Sequence, residues 1–306
     1  MSPTIPDKPF QLAVLLRSAR LPFLVLAPVS VLLGWACADR FTGLDVLLVV
    51  LGALSTHVSV NAFNEYFDFR SGLDQQTQRT PFSGGSGALP AAPAGATGVY
   101  VLAWLSFALA GLIGLYFVLL RGPALLPLGL AGLALVYFYT EWVTRHPLLC
   151  LLAPGFGFGP LMVLGTQYAL SGTFSMTAVV ASLTPLGLTS ALLLLNQFPD
   201  TEPDRAVGRR HFPIVWGRQR SARLLLYLYI GAYAAVLAGY AAGVLPGGSL
   251  WALLTMPLAI VAAAGASRYA EQAQRLLPFM GLNVVVAIVT PLLLALGLAF
   301  PVSALP

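Results

Sequence analysis

A polar stretch at residues 61–74 follows a long apolar run. Four side chains in or before it follow one another at steps of four, three and four: His57, Asn61, Asn64 and Asp68. On a helix, this spacing places all four within one narrow sector of the surface. Ionisable groups cost roughly 2.5–3.5 kcal/mol each at the centre of a membrane, so a convergent set indicates a functional site. The alternative is a polar helix end that meets water.

A second polar string, residues 196–211, has a similar pattern. Asn196 ends an apolar run, and Asp200 and Asp204 follow at intervals of four. Carboxylates from two such strings would repel one another unless cations lay between them. Carboxylate and amide oxygens are the ligands that Mg²⁺ prefers, and the chain offers no paired thiolates or imidazoles for zinc or copper. The two strings together therefore predict a bound divalent cation, Mg²⁺.

Arginines accompany both strings and predict a polyanionic ligand, because the planar guanidinium binds phosphate through two donors. The arginines concerned are Arg70, Arg79, Arg145, Arg205, Arg209 and Arg210. Arg79 follows the first string and Arg209 and Arg210 follow the acids of the second, so these three are the strongest candidates. Taken singly, each arginine is equally well explained as a determinant of membrane topology.

The composition excludes a soluble globular protein. Of 306 residues, 58% are hydrophobic and only 9% are charged. The net charge of +5 is better explained by membrane topology than by a nucleic-acid partner. Cys37 and Cys150 lie far apart in or beside apolar runs, so we expect buried thiols and no disulfide framework.

Apolar runs of about 20 residues, the length that crosses hydrocarbon, recur along the chain. We therefore predict an all-α integral membrane protein, a single domain over residues 1–306 with a bundle of about nine transmembrane helices. The first run reads as an anchor, not a cleaved signal peptide. Between Asn196 and Asp204, Pro199 and Pro203 should interrupt any regular helix. The predicted spans are 21–38, 45–64, 99–120, 124–140, 150–170, 177–197, 222–244, 250–267 and 280–300.

The basic residues predict the orientation. With the N-terminus in the cytoplasm and the C-terminus outside, only Arg40 and Arg121 of the 16 basic residues fall in outer segments. The long inner connections, 65–98 and 198–221, carry the acids and arginines. We therefore expect a multi-pass protein of the bacterial inner membrane whose active site lies toward the cytoplasmic face.

The two strings resemble the motifs of the UbiA superfamily of intramembrane prenyltransferases. Here they run Asn64-x3-Asp68-x5-Asp74 and Asn196-x3-Asp200-x3-Asp204-x3-Gly208. The five-residue gap before Asp74, and the segment 159–166, are similar to the branch that prenylates dihydroxynaphthoate in menaquinone biosynthesis. This chain departs from the family pattern in three places: at Glu65, where Asp is usual, at Arg209-Arg210-His211, and in the loop 139–145.

The resemblance implies Mg²⁺-dependent transfer of a polyprenyl group from its diphosphate to an aromatic acceptor, most closely 1,4-dihydroxy-2-naphthoate. Alternative acceptors are 4-hydroxybenzoate and other phenolic or quinone precursors, and cyclisation of the prenyl chain is also open. The implied metal ligands are Asn64, Asp68, Asp74, Asn196, Asp200 and Asp204. The implied diphosphate-binding residues are Asn64, Arg79, Arg145, Asn196, Arg209 and Arg210. The implied catalytic residues are Asp68, Asp200, Arg79 and Arg209.

Several questions stay open at this level. A transporter would also place charges at helix ends, although transporter sites lie near the bilayer midplane. The prenyl chain length, the oligomeric state and the roles of His57, Asn61 and His211 are not determined by the sequence. As walls for an allylic cation, we expect five aromatic residues: Phe63, Tyr66, Phe67, Tyr137 and Tyr139.

Overall fold

The computed structural model describes residues 8–300, with side chains from residue 12 onward. These residues form helices and connecting turns, and the described range contains no β-strand. The α-helices are, in chain order, α1 (Lys8–Ser18), α2 (Leu26–Ala36), α3 (Gly43–Ser71), α4 (Leu73–Gln76), α5 (Ala88–Ala91), α6 (Ala96–Arg121), α7 (Leu126–Phe138), α8 (Pro147–Phe156), α9 (Met162–Ser171), α10 (Met176–Asn196), α11 (Thr201–Ala206), α12 (Phe212–Val215), α13 (Arg218–Ala241), α14 (Met256–Tyr269) and α15 (Ala273–Ala299).

Within residues 8–300, seven helical segments are long and apolar enough to cross a membrane, which confirms an all-α, multi-pass membrane protein. The predicted number of about nine is approximate. The first predicted span, 21–38, overlaps a pair of helices, Leu12–Phe23 and Leu26–Ala36, with a bend of 48° between them. Counted as one span, this pair would make an eighth. At the fourth predicted span, 124–140, the structure has a shorter apolar helix, Pro123–Phe138. Because the hydrocarbon layer is about 30 Å thick, a helix of this length does not reach across it unaided.

Helix α3 carries the first polar string. It begins with a reciprocal cap between Thr42 and Asp45, and Arg121 pairs with Asp45 at 3.0 Å. It continues through Asp68 to Ser71, beyond residue 64 where the sequence placed the end of the span. Gly72 then stops the helix with φ of +76°, a conformation that favours glycine. Asn64 and Asp68 therefore lie on one continuous helix, and Asp68 is buried.

Helix α10 leads into the second string and lies at the centre of the bundle. In its most apolar window 72% of residues are buried, against 11% for the segment that contains α6. Helix α10 ends at Asn196, and Asp200 stands at the start of the short helix α11. The expected interruption between Asn196 and Asp204 is thus present, and the break lets the acids turn back toward α3.

The segment Pro147–Ser171 contains a π-helical turn, Gly157–Leu161, between α8 and α9. Two of its glycines pack directly on α10. A Cβ at Gly159 would come within 2.5 Å of the Ser182 carbonyl oxygen, and a Cβ at Gly155 would collide with the carbonyl oxygen of Leu186. Small residues at such positions allow membrane helices to approach closely. This contact fixes one wall of the cavity described below.

Candidate active site

The two polar strings meet at Arg209. Its guanidinium donates to the carboxylate of Asp68 on α3 and, at 2.9 Å, to Asp204 on α11. Burial by itself lowers the pKa of Arg209, but the two carboxylates outweigh burial and raise it, so the arginine stays charged. Nε2 of buried His211 lies 2.8 Å from Asp204. Burial raises the pKa of Asp204, but Arg209 and His211 together bring it below its usual value.

Asn64 joins this group one turn before Asp68. Its amide nitrogen donates to Asp68 at 3.0 Å and to the Thr140 hydroxyl at 3.3 Å, and its amide oxygen accepts from Arg20 at 3.0 Å. Arg20 is the only non-glycine residue with positive φ in the described part of the chain, at 52°. Backbone strain of this kind concentrates at functional sites. From the sequence, Arg20 was expected only to contribute to membrane topology, because its spacing does not connect it with either polar string.

Three predicted metal ligands keep buried oxygens without a hydrogen-bond partner: Asp74, Asn196 and Asp200. Burial and neighbouring carboxylates raise the pKa of Asp74 and of Asp200 to about 7 each. Buried oxygens that lack donors are costly unless a cation or a ligand compensates them. Their carboxylate and amide chemistry fits Mg²⁺.

The other predicted ligands are engaged within the protein. Asp68 and Asp204 are bridged by Arg209, and Asn64 bonds to Asp68. Within residues 8–300, no three His, Cys, Asp or Glu side chains lie close enough together to hold a metal ion. The structure thus places the guanidinium of Arg209 between the two strings, where the sequence predicted Mg²⁺.

The glycine-rich loop after α4, residues 77–87, contacts both polar strings. The Gly84 N–H donates to Asp200 at 2.9 Å. Ser86 donates to Glu65 twice, from its hydroxyl at 2.5 Å and from its N–H at 3.1 Å. Glu65 is fully buried, so this contact fixes the loop to the inner face of α3. The composition of this loop is equally typical of a linker, so the sequence alone does not indicate these contacts.

Two further glycines of this loop are required by close contacts. A Cβ on Gly85, where φ is +71°, would lie 2.7 Å from a carboxylate oxygen of Asp74. A Cβ on Gly87, where φ is +69°, would collide with the guanidinium of Arg79. Since Gly84 contacts Asp200 and the adjacent Gly85 contacts Asp74, one loop faces both carboxylates.

The remaining arginines differ in their placement. Arg79 is exposed but lies beside the loop and acts electrostatically on Asp74. Arg145 and Arg210 are exposed, and the described contacts include no side-chain hydrogen bond or ion pair between either residue and the acidic strings. Only the backbone N–H of Arg210 is engaged, with the Thr144 carbonyl. Their predicted role in diphosphate binding therefore gains no support from the geometry.

An apolar cavity of about 540 Å³ opens from this polar group into the bundle. Arg20, Asn64 and Asn196 line its polar end, and α3, α6, α7 and α9 form its walls. Tyr139 also lines it, together with four aromatic residues that were not expected from the sequence: Phe23, Phe82, Phe117 and Phe158. The cavity has the size of a small-molecule site.

Four of the five expected cation-facing aromatics do not line this cavity: Phe63, Tyr66, Phe67 and Tyr137. Phe63 is 1% exposed, and the centroid of its ring lies 5.6 Å from that of Tyr137 in an edge-to-face pair. These rings pack on one another between α3, α6 and α7 because aromatic pairs stabilise a core. Asn61 does line the cavity, and its amide nitrogen donates to the Ala19 carbonyl at 3.0 Å.

The fold and this site define a multi-pass membrane protein that combines a buried acid-and-arginine centre with an adjoining apolar cavity. Such a site suits an amphiphilic anion with a long apolar tail. The chain belongs to the UbiA prenyltransferase family, whose model matches residues 25–285. It is a membrane-bound prenyltransferase.

Similar proteins agree with this assignment. A 1,4-dihydroxy-2-naphthoate octaprenyltransferase from Bacillus subtilis is 28% identical over 239 residues, covering 75% of this chain and 74% of the relative. A UbiA homolog from Aeropyrum pernix K1 superposes with a TM-score of 0.68 at 20% identity, covering 87% of this chain and 94% of that one. A UbiA homolog from Archaeoglobus fulgidus, bound to DMAPP and Mg²⁺, has a TM-score of 0.56 at 14% identity, covering 94% and 99%.

Proposed function

We propose that the protein transfers a polyprenyl group from polyprenyl diphosphate to 1,4-dihydroxy-2-naphthoate, with Mg²⁺ as cofactor, in menaquinone biosynthesis. The observation that carries the proposal is the buried junction of Asp68, Arg209 and Asp204 beside the polar end of an apolar cavity. The buried junction would bind the anionic diphosphate of the donor, and the apolar cavity would hold its polyprenyl tail. The Bacillus subtilis relative supports the naphthoate acceptor.

The diphosphate would lie at the polar end of the cavity. The unpartnered oxygens of Asp74, Asn196 and Asp200 would hold Mg²⁺ there, and the cation would neutralise diphosphate charge. The Archaeoglobus homolog, bound to DMAPP and Mg²⁺, supports this cofactor. Asp68 and Asp204 keep Arg209 fixed, and Arg20 extends the basic lining toward the cavity.

The reaction begins as the bond between the allylic carbon and the diphosphate oxygen breaks. Its electron pair leaves with the diphosphate, so negative charge grows on the leaving group. Arg209 and Arg79 would stabilise that charge. Because Asp68 and Asp204 hold Arg209 in place beforehand, Arg209 would favour the transition state over the ground state. A ring carbon of the acceptor then forms the new carbon–carbon bond. When that carbon bears the carboxylate, carbon dioxide leaves and its bond electrons return to the ring.

The apolar walls have two tasks in this reaction. They hold the polyprenyl chain, and they keep water away from the allylic cation, which water would otherwise capture. Tyr139, Phe82 and Phe158 line the cavity and present aromatic side chains to it. We further propose that residues 1–306 act as one domain in the bacterial inner membrane, with the site toward the cytoplasm, because the basic residues cluster on that side.

A panel of acceptors tests this proposal. Purified protein in lipid nanodiscs receives polyprenyl diphosphate, Mg²⁺ and either dihydroxynaphthoate, 4-hydroxybenzoate or another phenol, and product masses are measured. The expected result is a decarboxylated prenyl-naphthalene product with dihydroxynaphthoate and far less product with the others. A preference for 4-hydroxybenzoate would contradict the naphthoate acceptor. Transport of substrate without release of diphosphate would contradict prenyl transfer.

A further inference from the structure

A second, smaller cavity of about 300 Å³ lies between the end of α1 and the glycine-rich loop. Its described lining comes from residues within 16–23 on one side and within 80–86 on the other. This volume is at the lower end of the range for small-molecule sites, about 300–1,000 Å³. None of its described lining residues is an assigned Mg²⁺ ligand, so the proposed binding of the donor leaves this cavity without a role.

The second cavity carries positive charge. Arg17 and Arg20 line it, and none of its described lining residues is acidic. Glu65 lies 3.9 Å from the Arg20 guanidinium, but it offsets only one of the two charges. The exposed Arg17 donates to the Ser86 carbonyl at 3.1 Å, a neutral partner that leaves other guanidinium donors available. Nε of Arg20 is buried without a partner, which is costly unless an acceptor is supplied. The cavity therefore suits a carboxylate, which matches the planar guanidinium.

The rest of the lining is suited to an aromatic ring. Phe23 and Phe82, both partly buried, line the cavity together with Pro22 and Pro81. Aromatic side chains offer a large apolar contact area and pair favourably with another ring. Inorganic phosphate or diphosphate would gain nothing from these rings, whereas an aromatic acid would use the rings and the arginines together. The lining therefore favours an aromatic carboxylic acid over an inorganic anion.

The second cavity adjoins the larger one at its polar end. Three side chains line both cavities: Arg20, Phe23 and Phe82. Arg20 also donates to Asn64 at 3.0 Å, so the boundary lies beside the polar group where the donor diphosphate is expected. An aromatic acid held here would have its carboxyl-bearing carbon close to the allylic carbon of the donor, as the proposed substitution requires.

We propose that this second cavity binds the aromatic acceptor. The carboxylate of the acceptor lies between Arg17 and Arg20, and its ring lies against Phe23 and Phe82. The inference rests on the proposed function, because it takes an aromatic acid as the acceptor. It also separates the arginines by substrate: Arg17 serves the acceptor alone, whereas Arg20 stands at the boundary and serves both substrates.

Equilibrium binding and kinetics of the full-length protein in nanodiscs test this site. Two probes are compared under reducing conditions: 1,4-dihydroxy-2-naphthoate and 1,4-naphthalenediol, which has the same ring without the carboxylate. Arg17→Ala is expected to weaken naphthoate binding at least about tenfold, as loss of a charge-assisted hydrogen bond does, and to leave the diol unchanged. KM for the acceptor should rise by the same factor, while KM for polyprenyl diphosphate keeps its wild-type value. Phe82→Leu should weaken both probes, because it removes a ring contact.

The matched control is Arg223→Ala. Arg223 is an exposed arginine on α13 and is not among the described residues that line either cavity, so this variant should keep the wild-type affinities and KM values. Inorganic diphosphate, measured without Mg²⁺, is the competing anion. Its affinity should be the same in Arg17→Ala as in the wild type. A loss of diphosphate binding with naphthoate binding unchanged would assign the cavity to the released diphosphate and overturn the proposal.

The remaining outcomes also decide. An equal loss of the naphthoate and the diol would restrict Arg17 to holding the loop through Ser86, and unchanged naphthoate binding would remove Arg17 from the site; both contradict the proposal. Thermal unfolding checks that the variants fold. If Arg17→Ala does not, Arg17→Gln replaces it, since glutamine removes the charge but still donates to a carbonyl. The absence of prenylated product from the wild type with every acceptor contradicts the proposed function instead.

Discussion

Ser86 donates both its hydroxyl and its backbone N–H to the buried carboxylate of Glu65, at 2.5 and 3.1 Å. This pair fixes the glycine-rich loop on the helix that carries Asn64 and Asp68. Glu65 occupies the position at which the family resemblance expects aspartate, and its longer side chain reaches the loop. The glutamate at this position therefore has a structural consequence, because it holds the glycine-rich loop that contacts Asp74 and Asp200.

We predict that Glu65→Ala releases this loop and lowers kcat/KM for the prenyl donor by about 10–100-fold. Hydrogen bonds to a charged group contribute roughly 1.5–3 kcal/mol, which sets that range. Steady-state kinetics with a fixed acceptor measure the effect, and Ser86→Ala should give a smaller loss because the backbone bond remains. The control is the exposed Glu141→Ala. Equal activity of Glu65→Ala and the control would show that the contact does not position the loop.

Arg209 and Arg210 are neighbours with opposite environments, and we expect opposite effects. Arg209→Ala leaves Asp68 and Asp204 buried without their shared cation, which should destabilise the protein by about 3–5 kcal/mol and remove activity. Arg210→Ala changes an exposed side chain and should stay close to wild type in both respects. Denaturation in detergent and turnover of the donor measure the two effects. Comparable losses in both variants would contradict the central position of Arg209.

Arg20 is predicted to contribute to donor binding. It bonds to Asn64 and lines the cavity, so Arg20→Ala should raise KM for the polyprenyl diphosphate about tenfold, as loss of one charge-assisted hydrogen bond does. Arg40→Ala, an exposed arginine distant in sequence from both polar strings, is the control. An unchanged KM in Arg20→Ala would assign Arg20 a purely structural role.

Mg²⁺ should stabilise the protein in a pH-dependent way. Because the pKa values of Asp74 and Asp200 are raised to about 7, protons compete with the cation below that pH and leave the carboxylates free above it. The shift in Tm on adding Mg²⁺ should therefore be larger at pH 8 than at pH 6, and Asp200→Asn should reduce it. Ca²⁺ and a monovalent salt of equal ionic strength control for screening. A shift independent of both pH and Asp200 would contradict the assigned ligands.

Much of this arrangement is predictable from the sequence. Apolar run length predicts the helical bundle, and spacing places Asn64 and Asp68 on one helical face. The interruption between Asn196 and Asp204 follows from the two prolines that flank Asp200. These features depend on local rules, namely helix periodicity and the missing N–H of proline.

The rest depends on contacts between distant segments. The Glu65–Ser86 contact and the bridge from Arg209 to Asp68 join residues far apart in sequence, so no local pattern encodes them. The aromatic residues of α3 were misassigned because a sequence does not show which side of a helix faces a cavity. The unusual backbone of Arg20 has no compositional signal, since glycine is absent there.

The most direct test of the account is Mg²⁺-dependent formation of prenylated acceptor by wild-type protein and by Asp68→Ala and Asp200→Ala. Product mass and released diphosphate are measured together in nanodiscs, with each variant first shown to be folded. We expect equal amounts of diphosphate and prenylated product from the wild type, and neither from the two variants. Full turnover by either variant in the presence of Mg²⁺ would contradict the assignment of the two acidic strings as the centre of prenyl transfer.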